Sequence, residues 1–527
     1  SYSLTATADG ITVTAATATG LVRGATTARQ LVWRDDDGTA VATGAIDDRP
    51  TVPLRMLAGW GLYRAHQMEW ALEVALEGKY NRVLYNWWTA TADERLGRRE
   101  EHLVTKARDL GIELVVELRR QALGTEFSLT DERALEPLLR HYDDAVDRGF
   151  RAFGFLFDDT DHDPFDDEFA VLHRIVDRLT ARLGHEPEFY FCPRFYWFPG
   201  EADYSWFGGA EFASMLGGGG PRTLEDAVAR QRDYHQRLAA ALPARTNVYL
   251  ANWWSGTPAD WSGQLADQWT DVLGRPPVFW DNQQQNDFRA AALVPVPLHQ
   301  RAPESAAALA GYTLNSGRPL SVFAPSSITA GAWAWNPDGY DAATAFGAAI
   351  ARTLGFAAVD ALSAWCALWN DLLAPRTGME HHYRNLRTLA DNGKGDDLRA
   401  RLIAIDALLV DADRAVIPGA QPMARDALAH LCREVERLLL DLALAELRAD
   451  PDADEATAAE AEHVVAAIEA ILVSRLPPVT ELEDAAHYGL PDEAIPGVSW
   501  YLHFVAGPMN AGPRRLLASL RKRLTAE

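Results

Sequence analysis

The chain has 527 residues, 48% of them hydrophobic, too many for one core and enough for roughly two to four domains. Its 74 acidic against 50 basic residues give a net charge of −24, which argues against a phosphate-binding face for nucleic acid and fits a neutral or cationic ligand. No run of about 18 uncharged apolar residues occurs, so no membrane-spanning helix is expected.

Ser1-Tyr-Ser-Leu-Thr5 carries no basic region followed by an apolar run. The expectation is a chain without a signal peptide and a cytoplasmic protein, with secretion left open if a leader has been removed. Residues 1 to 52 read as a small α+β domain. Tyr2-Ser-Leu-Thr-Ala6 and Ile11-Thr-Val-Thr-Ala15 alternate at period two, and Asp9-Gly10 between them is a hairpin turn. From Gly20 a loop enters a short helix, and a linker follows through Asp47-Asp-Arg-Pro50.

From residue 53 to 354 a different rhythm takes over. Short apolar runs stand at Leu54–Ala58, Arg82–Asn86, Ile112–Leu118, Ala152–Phe157, Glu188–Cys192, Val248–Asn252, Val278–Trp280 and Gly311–Leu314, with helical patterns between most of them. Eight such strands in roughly 300 residues match a (β/α)8 barrel of the TIM type. A doubly wound open sheet is the competing arrangement, and it lacks the Gly-x-Gly-x-x-Gly that would follow its first strand. Residues 355 to 527 read as an α-helical bundle. Leu398–Val410, Ala424–Arg448 and Ala456–Val473 carry apolar residues at three- and four-residue spacing, interrupted at Pro418 and over residues 449–454.

The strand ends hold the polar residues. The fourth strand ends in Asp158 and Asp159, the fifth in Cys192-Pro-Arg-Phe-Tyr196, and the sixth in Asn252-Trp-Trp-Ser-Gly256. The seventh ends in Asp281-Asn282 with Asn286-Asp287 beyond, and the eighth at Asn315. In a barrel these converge on one face, as an aromatic-walled pocket with carboxylates and amides suited to a neutral sugar. Seventeen tryptophans fit such platforms, although aromatic residues are also ordinary core.

Two adjacent carboxylates do not titrate independently; one is pushed up and can stay protonated as a general acid. Glycoside cleavage needs that acid, but neighbouring residues are poorly placed to serve also as nucleophile on the opposite face of the sugar. A 2-acetamido carbonyl supplied by the substrate is one answer, and a solvated loop or helix cap is the plain structural alternative. Asp159-Thr-Asp-His-Asp163 imitates a calcium loop but has Pro164 and Ala170 where Gly and Glu belong, and no His pair has zinc spacing, so no metal is expected. Cys192, Cys366 and Cys432 are sparse and far apart, which suits buried small apolar residues.

Phe155-Leu-Phe-Asp-Asp-Thr-Asp-His162 closely resembles the catalytic signature of the O-GlcNAcase family, glycoside hydrolase family 84, which includes bacterial β-N-acetylglucosaminidases. Further matches follow in order at Phe191-Cys-Pro-Arg-Phe-Tyr196, Trp254-Ser-Gly256, Pro277-Val-Phe-Trp-Asp-Asn-Gln-Gln-Gln-Asn-Asp287, Leu314-Asn315 and Ala334-Trp-Asn-Pro337. The resemblance spans about residues 1–400. It implies a retaining, substrate-assisted N-acetyl-β-hexosaminidase acting on a carbohydrate through an oxazoline, without a cofactor. By resemblance, Asp158 orients the acetamido group and Asp159 is the general acid and then base. Tyr196 and Trp254 support the acetamido group, while Asn286, Asp260, Asn282 and Asn315 bind the sugar.

Three departures stand out. The family's first strand runs into a Glu-Gly-Phe-Tyr-Gly-like segment; here it is Ala58-Gly-Trp-Gly-Leu62, with Gly59 and Trp88 at the matching sugar-facing positions. The family's sugar-contacting lysine aligns near Trp88, where no lysine is close. After the third strand Glu117-Leu-Arg-Arg120 replaces a small-residue loop. Arg119 and Arg120 either meet an anionic substituent or pair with local acids, and pairing is favoured. An enzyme for another amido sugar or small metabolite, and a sugar-binding homologue without hydrolysis, are the alternatives.

Overall fold

A computed structural model describes residues 1–35, 38–59, 65–86, 95–120, 128–158, 163–196, 224–251, 263–284, 293–317, 319–369, 394–416 and 421–449. Strands β1 (Tyr2–Thr7) and β2 (Gly10–Thr14) form the expected hairpin, with Thr7 opposite Gly10, whose φ of 149° suits glycine. The linker expectation fails at Asp47 and Asp48. They belong to β5 (Gly44–Asp48), an edge strand antiparallel to β1. Its acidic residues hid it, because an edge strand does not have to be apolar on both faces. Between the two, β3 (Val32–Asp35) and β4 (Gly38–Val41) pair as a separate ribbon.

Helix α1 (Ala18–Gln30) starts earlier than the loop reading had it. Thr17 caps it, its hydroxyl accepting from the Gly20 amide at 3.1 Å. Tyr2, Leu4 and Ala6 alternate inward with Trp335 on the far side, which gives the small sheet its core. Lys79 pins that sheet to the rest of the molecule. Its ammonium donates to Asp48 at 2.8 Å and Tyr2 at 2.7 Å and lies 4.6 Å from the Trp335 ring centroid.

The eight expected strands close into one parallel barrel. They are β6 (Leu54–Gly59), β7 (Arg82–Asn86), β8 (Glu113–Arg119), β9 (Ala152–Leu156), β10 (Glu188–Cys192), β11 (Thr246–Ala251), β12 (Val278–Asp281) and β13 (Gly311–Ser316), with β13 pairing back to β6. Helices α2 (Ala65–Glu77), α3 (Arg98–Asp109), α4 (Glu132–Asp147), α5 (Phe165–Leu183), α6 (Leu224–Ala241) and α7 (Gly263–Leu273) separate the strands. The open-sheet alternative is thereby excluded.

Period-two alternation divides each strand. Leu57, Val83, Phe153, Phe155, Phe279 and Leu314 face the helices, while Met56, Leu84, Val115, Ala152, Tyr190, Tyr249 and Val278 fill the interior. The amino-terminal mouth is plugged by Arg82, which grips Glu188 across the barrel with two bonds of 2.7 Å. What remains open to chemistry is the carboxyl-terminal mouth.

Helix α8 (Leu320–Trp335) follows the last strand and is buried on nearly every side despite Pro325. It packs on α2 and on α9 (Ala342–Thr353). Beyond it α10 (Ala358–Leu368), α11 (Gly395–Ala415) and α12 (Pro422–Ala449) share a second apolar core around Trp365, Leu402 and Leu431. The first two helical stretches of the expected bundle correspond to α11 and α12; Ala456–Val473 and Pro418 lie outside the described residues. Cys192 and Cys366 are buried as expected, whereas Cys432 is only half-buried. Among the described residues no helix is long and apolar enough to cross a membrane.

Candidate active site

Each barrel strand delivers its last interior-facing residue to the same mouth. Ala58 is the last interior residue of β6, followed by Gly59 at the strand's end; Asn86 closes β7 and Arg119 closes β8. Asp158 stands two residues beyond β9, in the same alternation phase as the interior residues Ala152 and Leu156. Tyr196 follows β10, Asn282 follows β12, and Asn315 lies within β13.

Asn282 and Asn315 are brought together. The Asn315 amide donates to Asn282 Oδ1 at 2.9 Å, and the Trp280 indole donates to the same oxygen at 3.0 Å. The Asn86 amide donates to the Gly59 carbonyl, fixing the end of β6. Tyr196 packs against the interior cluster, and its carbonyl accepts from the Ala251 amide at 2.7 Å. Beneath them Tyr249 stacks on Tyr190 at 5.8 Å between centroids and meets Trp280 edge-on at 5.0 Å, forming an aromatic floor. Asp159, Trp254, Asp260, Asn286 and Trp88 lie outside the described residues.

The two arginines of β8 have found acids. The Arg119 guanidinium donates to Asp158 Oδ2. Arg120 grips Asp163 with bonds of 2.8 and 3.0 Å, both partners buried. One strand end therefore holds the two carboxylates that bracket residues 159–162. Asp163 also accepts at its carbonyl, 2.8 Å from Arg194 Nη2. Arg194, on the segment that carries Tyr196, bonds the fully buried Glu168 at 2.9 Å, and the Tyr234 hydroxyl donates to the same carboxylate. This chain of charge-assisted bonds fixes the ends of β8, β9 and β10 relative to one another.

Asp281 needs separating from its neighbour Asn282. It points to the helix layer, where Arg301 holds it with bonds of 2.9 and 2.8 Å and Tyr312 donates at 3.0 Å. Its task is structural.

Sequence reasoning passed over Glu117. It is an interior residue of β8, fully buried, with the Tyr249 hydroxyl donating to Oε1 at 2.6 Å. Burial, opposed by the Tyr249 bond and reinforced by the charge of Asp158, pushes its carboxyl up to about 8. The signal was there: one acid inside Leu114-Val-Val-Glu-Leu118, with a glycine, Gly154, in the neighbouring apolar strand.

Among the described residues no three His, Cys, Asp or Glu side chains gather as metal ligands. The described mouth holds a fixed carboxylate, amide donors and acceptors and an aromatic floor. It suits an uncharged, hydroxyl-rich ring better than an anion.

The comparisons agree with that chemistry. A family model described as beta-N-acetylglucosaminidase matches residues 79–367, more than half of the chain. The model of glycosyl hydrolase family 20, domain 2, matches residues 1–49. The structure named CpGH84B is similar with a TM-score of 0.58 and 16% identity, covering 89% of this chain and 82% of that one. A substituted Thermobaculum terrenum O-GlcNAc hydrolase is similar with a TM-score of 0.53 and 15% identity, covering 89% of this chain and 94% of that one. Those two likenesses are of fold. The family model reaches from just before β7 to α10, across the strand ends that build the mouth, and the chain belongs to the beta-N-acetylglucosaminidase family, glycoside hydrolase family 84.

Proposed function

We propose that this glycoside hydrolase is a retaining, exo-acting N-acetyl-β-hexosaminidase that uses the substrate's own acetamido group as nucleophile. The carbonyl oxygen of the 2-acetamido group attacks the anomeric carbon while the glycosidic C–O bond breaks. Asp159 gives its proton to the departing oxygen. Asp158 accepts the acetamido N–H, which raises the carbonyl's nucleophilicity and offsets the positive charge of the oxazolinium that forms. Water then attacks the anomeric carbon from the face the aglycone left, Asp159 takes the proton, and the ring opens with net retention.

The observation that carries this reading is the placement of Asp158. It stands at the barrel mouth in the interior phase, where the Arg119 guanidinium holds its carboxyl group in place. A carboxylate has about four acceptor directions, so Arg119 does not exclude an amide N–H. The partners proposed around it are Tyr196 and Trp254 for the acetamido group and Asn282, Asn286, Asn315 and Asp260 for the hydroxyls. Gly59 and Trp88 complete the sugar-facing wall.

A second reading changes the sugar rather than the reaction. Trp88 stands where the family's lysine is expected and Arg119 where a small residue is expected, so the hydroxyl-facing side is rebuilt. That favours another amido sugar with the same acetamido chemistry.

The test is hydrolysis of aryl N-acetyl-β-glucosaminides by wild type and Asp159→Asn. The variant is expected to lose about 10²–10⁴-fold on a poor leaving group and far less on a nitrophenolate that departs without a proton. Equal rates for the two proteins on the poor leaving group would sink the assignment of Asp159.

A further inference from the structure

Glu117 is a buried acid that the proposed reaction does not use. In register it stands opposite Asn86 on β7 and Gly154 on β9. Gly154 is what lets it fit: a Cβ there would come within 2.6 Å of Glu117 Cγ and 2.8 Å of Oε1. Its Oε2 has no hydrogen-bond partner among the described residues. An ionised carboxylate with a single hydrogen bond is costly in such a place, whereas the neutral acid accepts at Oε1 and keeps its proton on Oε2.

Among the described residues, the groups that face it are few. Tyr249 comes from β11, with Tyr190 and Cys192 from β10 behind it. Tyr142 of α4 sits beyond Gly154, donating to the Gly154 carbonyl at 2.7 Å. Asp158 comes from the end of β9 and Arg119 from Glu117's own strand, two residues along on the same face. Arg119 is the cation of this set, and it is bonded to Asp158. One guanidinium does not balance two carboxylates in a largely buried barrel mouth.

We infer that Glu117 is a positioning residue for Asp158: held as the neutral acid it leaves Arg119 committed to Asp158, and on ionising it competes for that guanidinium and disables the site. This rests on the reading of Asp158 as the acceptor of the acetamido N–H. Glu117 itself touches no reacting atom. Its proton is a fixed part of the resting enzyme, neither given nor taken in the cycle.

The test uses 2,4-dinitrophenyl N-acetyl-β-glucosaminide, whose leaving group needs no proton, so the general acid adds no alkaline limb to kcat/KM. Wild type is expected to lose activity through a limb near pH 8. Glu117→Gln, a neutral isostere, is expected to stay within about tenfold of wild type near pH 7 and to lose that limb or move it up by at least about one pH unit. Tyr249→Phe removes the hydroxyl that favours the ionised form and is expected to move the limb upward. An unchanged limb in both variants overturns the inference, as does a loss of more than about 100-fold in folded Glu117→Gln at neutral pH. If wild type hydrolyses no such glycoside, the functional reading has failed on its own. Glu117 is then judged by infrared difference spectra of wild type against Glu117→Gln near pH 7. A protonated-carboxyl stretch supports a neutral Glu117 and its absence overturns it.

Discussion

Asp158→Asn is expected to lower kcat on an aryl N-acetyl-β-glucosaminide by about 10²–10³-fold, with KM changed far less. The asymmetry follows from what the residue does. In the ground state the acetamido N–H needs only an acceptor, and the amide oxygen of the substituted side chain would still provide one. In the transition state positive charge develops on that nitrogen, and only an anion offsets it. The fold is expected to tolerate the change because asparagine keeps the size and shape of the aspartate at this partly exposed position. Steady-state kinetics beside a thermal melt separates the two effects. A loss confined to KM would make Asp158 a binding residue and remove it from the chemistry.

The second large effect is on stability. Glu168→Ala is expected to cost about 3–5 kcal/mol, because it leaves Arg194 buried without its carboxylate. Both side chains are fully buried, and Tyr234 loses its acceptor as well. The damage is local in origin. Arg194 also bonds the Asp163 carbonyl, so the ends of β9 and β10 lose their shared brace. Glu168→Gln, which keeps an acceptor for Tyr234 and removes the charge, is expected to cost less than the alanine variant. Denaturant midpoints measure both. A cost below about 1 kcal/mol for Glu168→Ala would mean that water or another acid reaches Arg194, and the brace would not be essential.

The barrel was legible because burial on both sides makes a parallel strand a continuous apolar run. Ala152–Phe157 and Glu188–Cys192 read as strands for that reason, and the polar residues after them marked one mouth. Elements that break this logic were missed. The strand Gly44–Asp48 is an exposed edge with acids at its end. The helix Leu320–Trp335 is buried on nearly every side, so its sequence shows no single apolar face, and Pro325 interrupts it.

At the barrel mouth, the placement of Asp158, Asn282 and Asn315 could be read from the strand ends, and the pairing of Arg119 and Arg120 with acids was the favoured reading. Which acids they choose was not legible. It depends on loops that bring residues about forty positions apart together. Glu117 was hidden for a different reason. Alternation gives the phase of a strand residue, but a charge on the inner face is intelligible only once Gly154 and Tyr249 are seen around it.

Substrate assistance itself is tested most directly by changing the nucleophile. Aryl β-glucosaminides bearing acetyl, fluoroacetyl, difluoroacetyl and trifluoroacetyl groups on the 2-amino nitrogen differ little in size and strongly in carbonyl basicity. If the acetamido oxygen attacks the anomeric carbon, kcat/KM falls steeply with each fluorine, by several orders of magnitude across the series. A flat series would contradict it and place the nucleophile on the protein or in water.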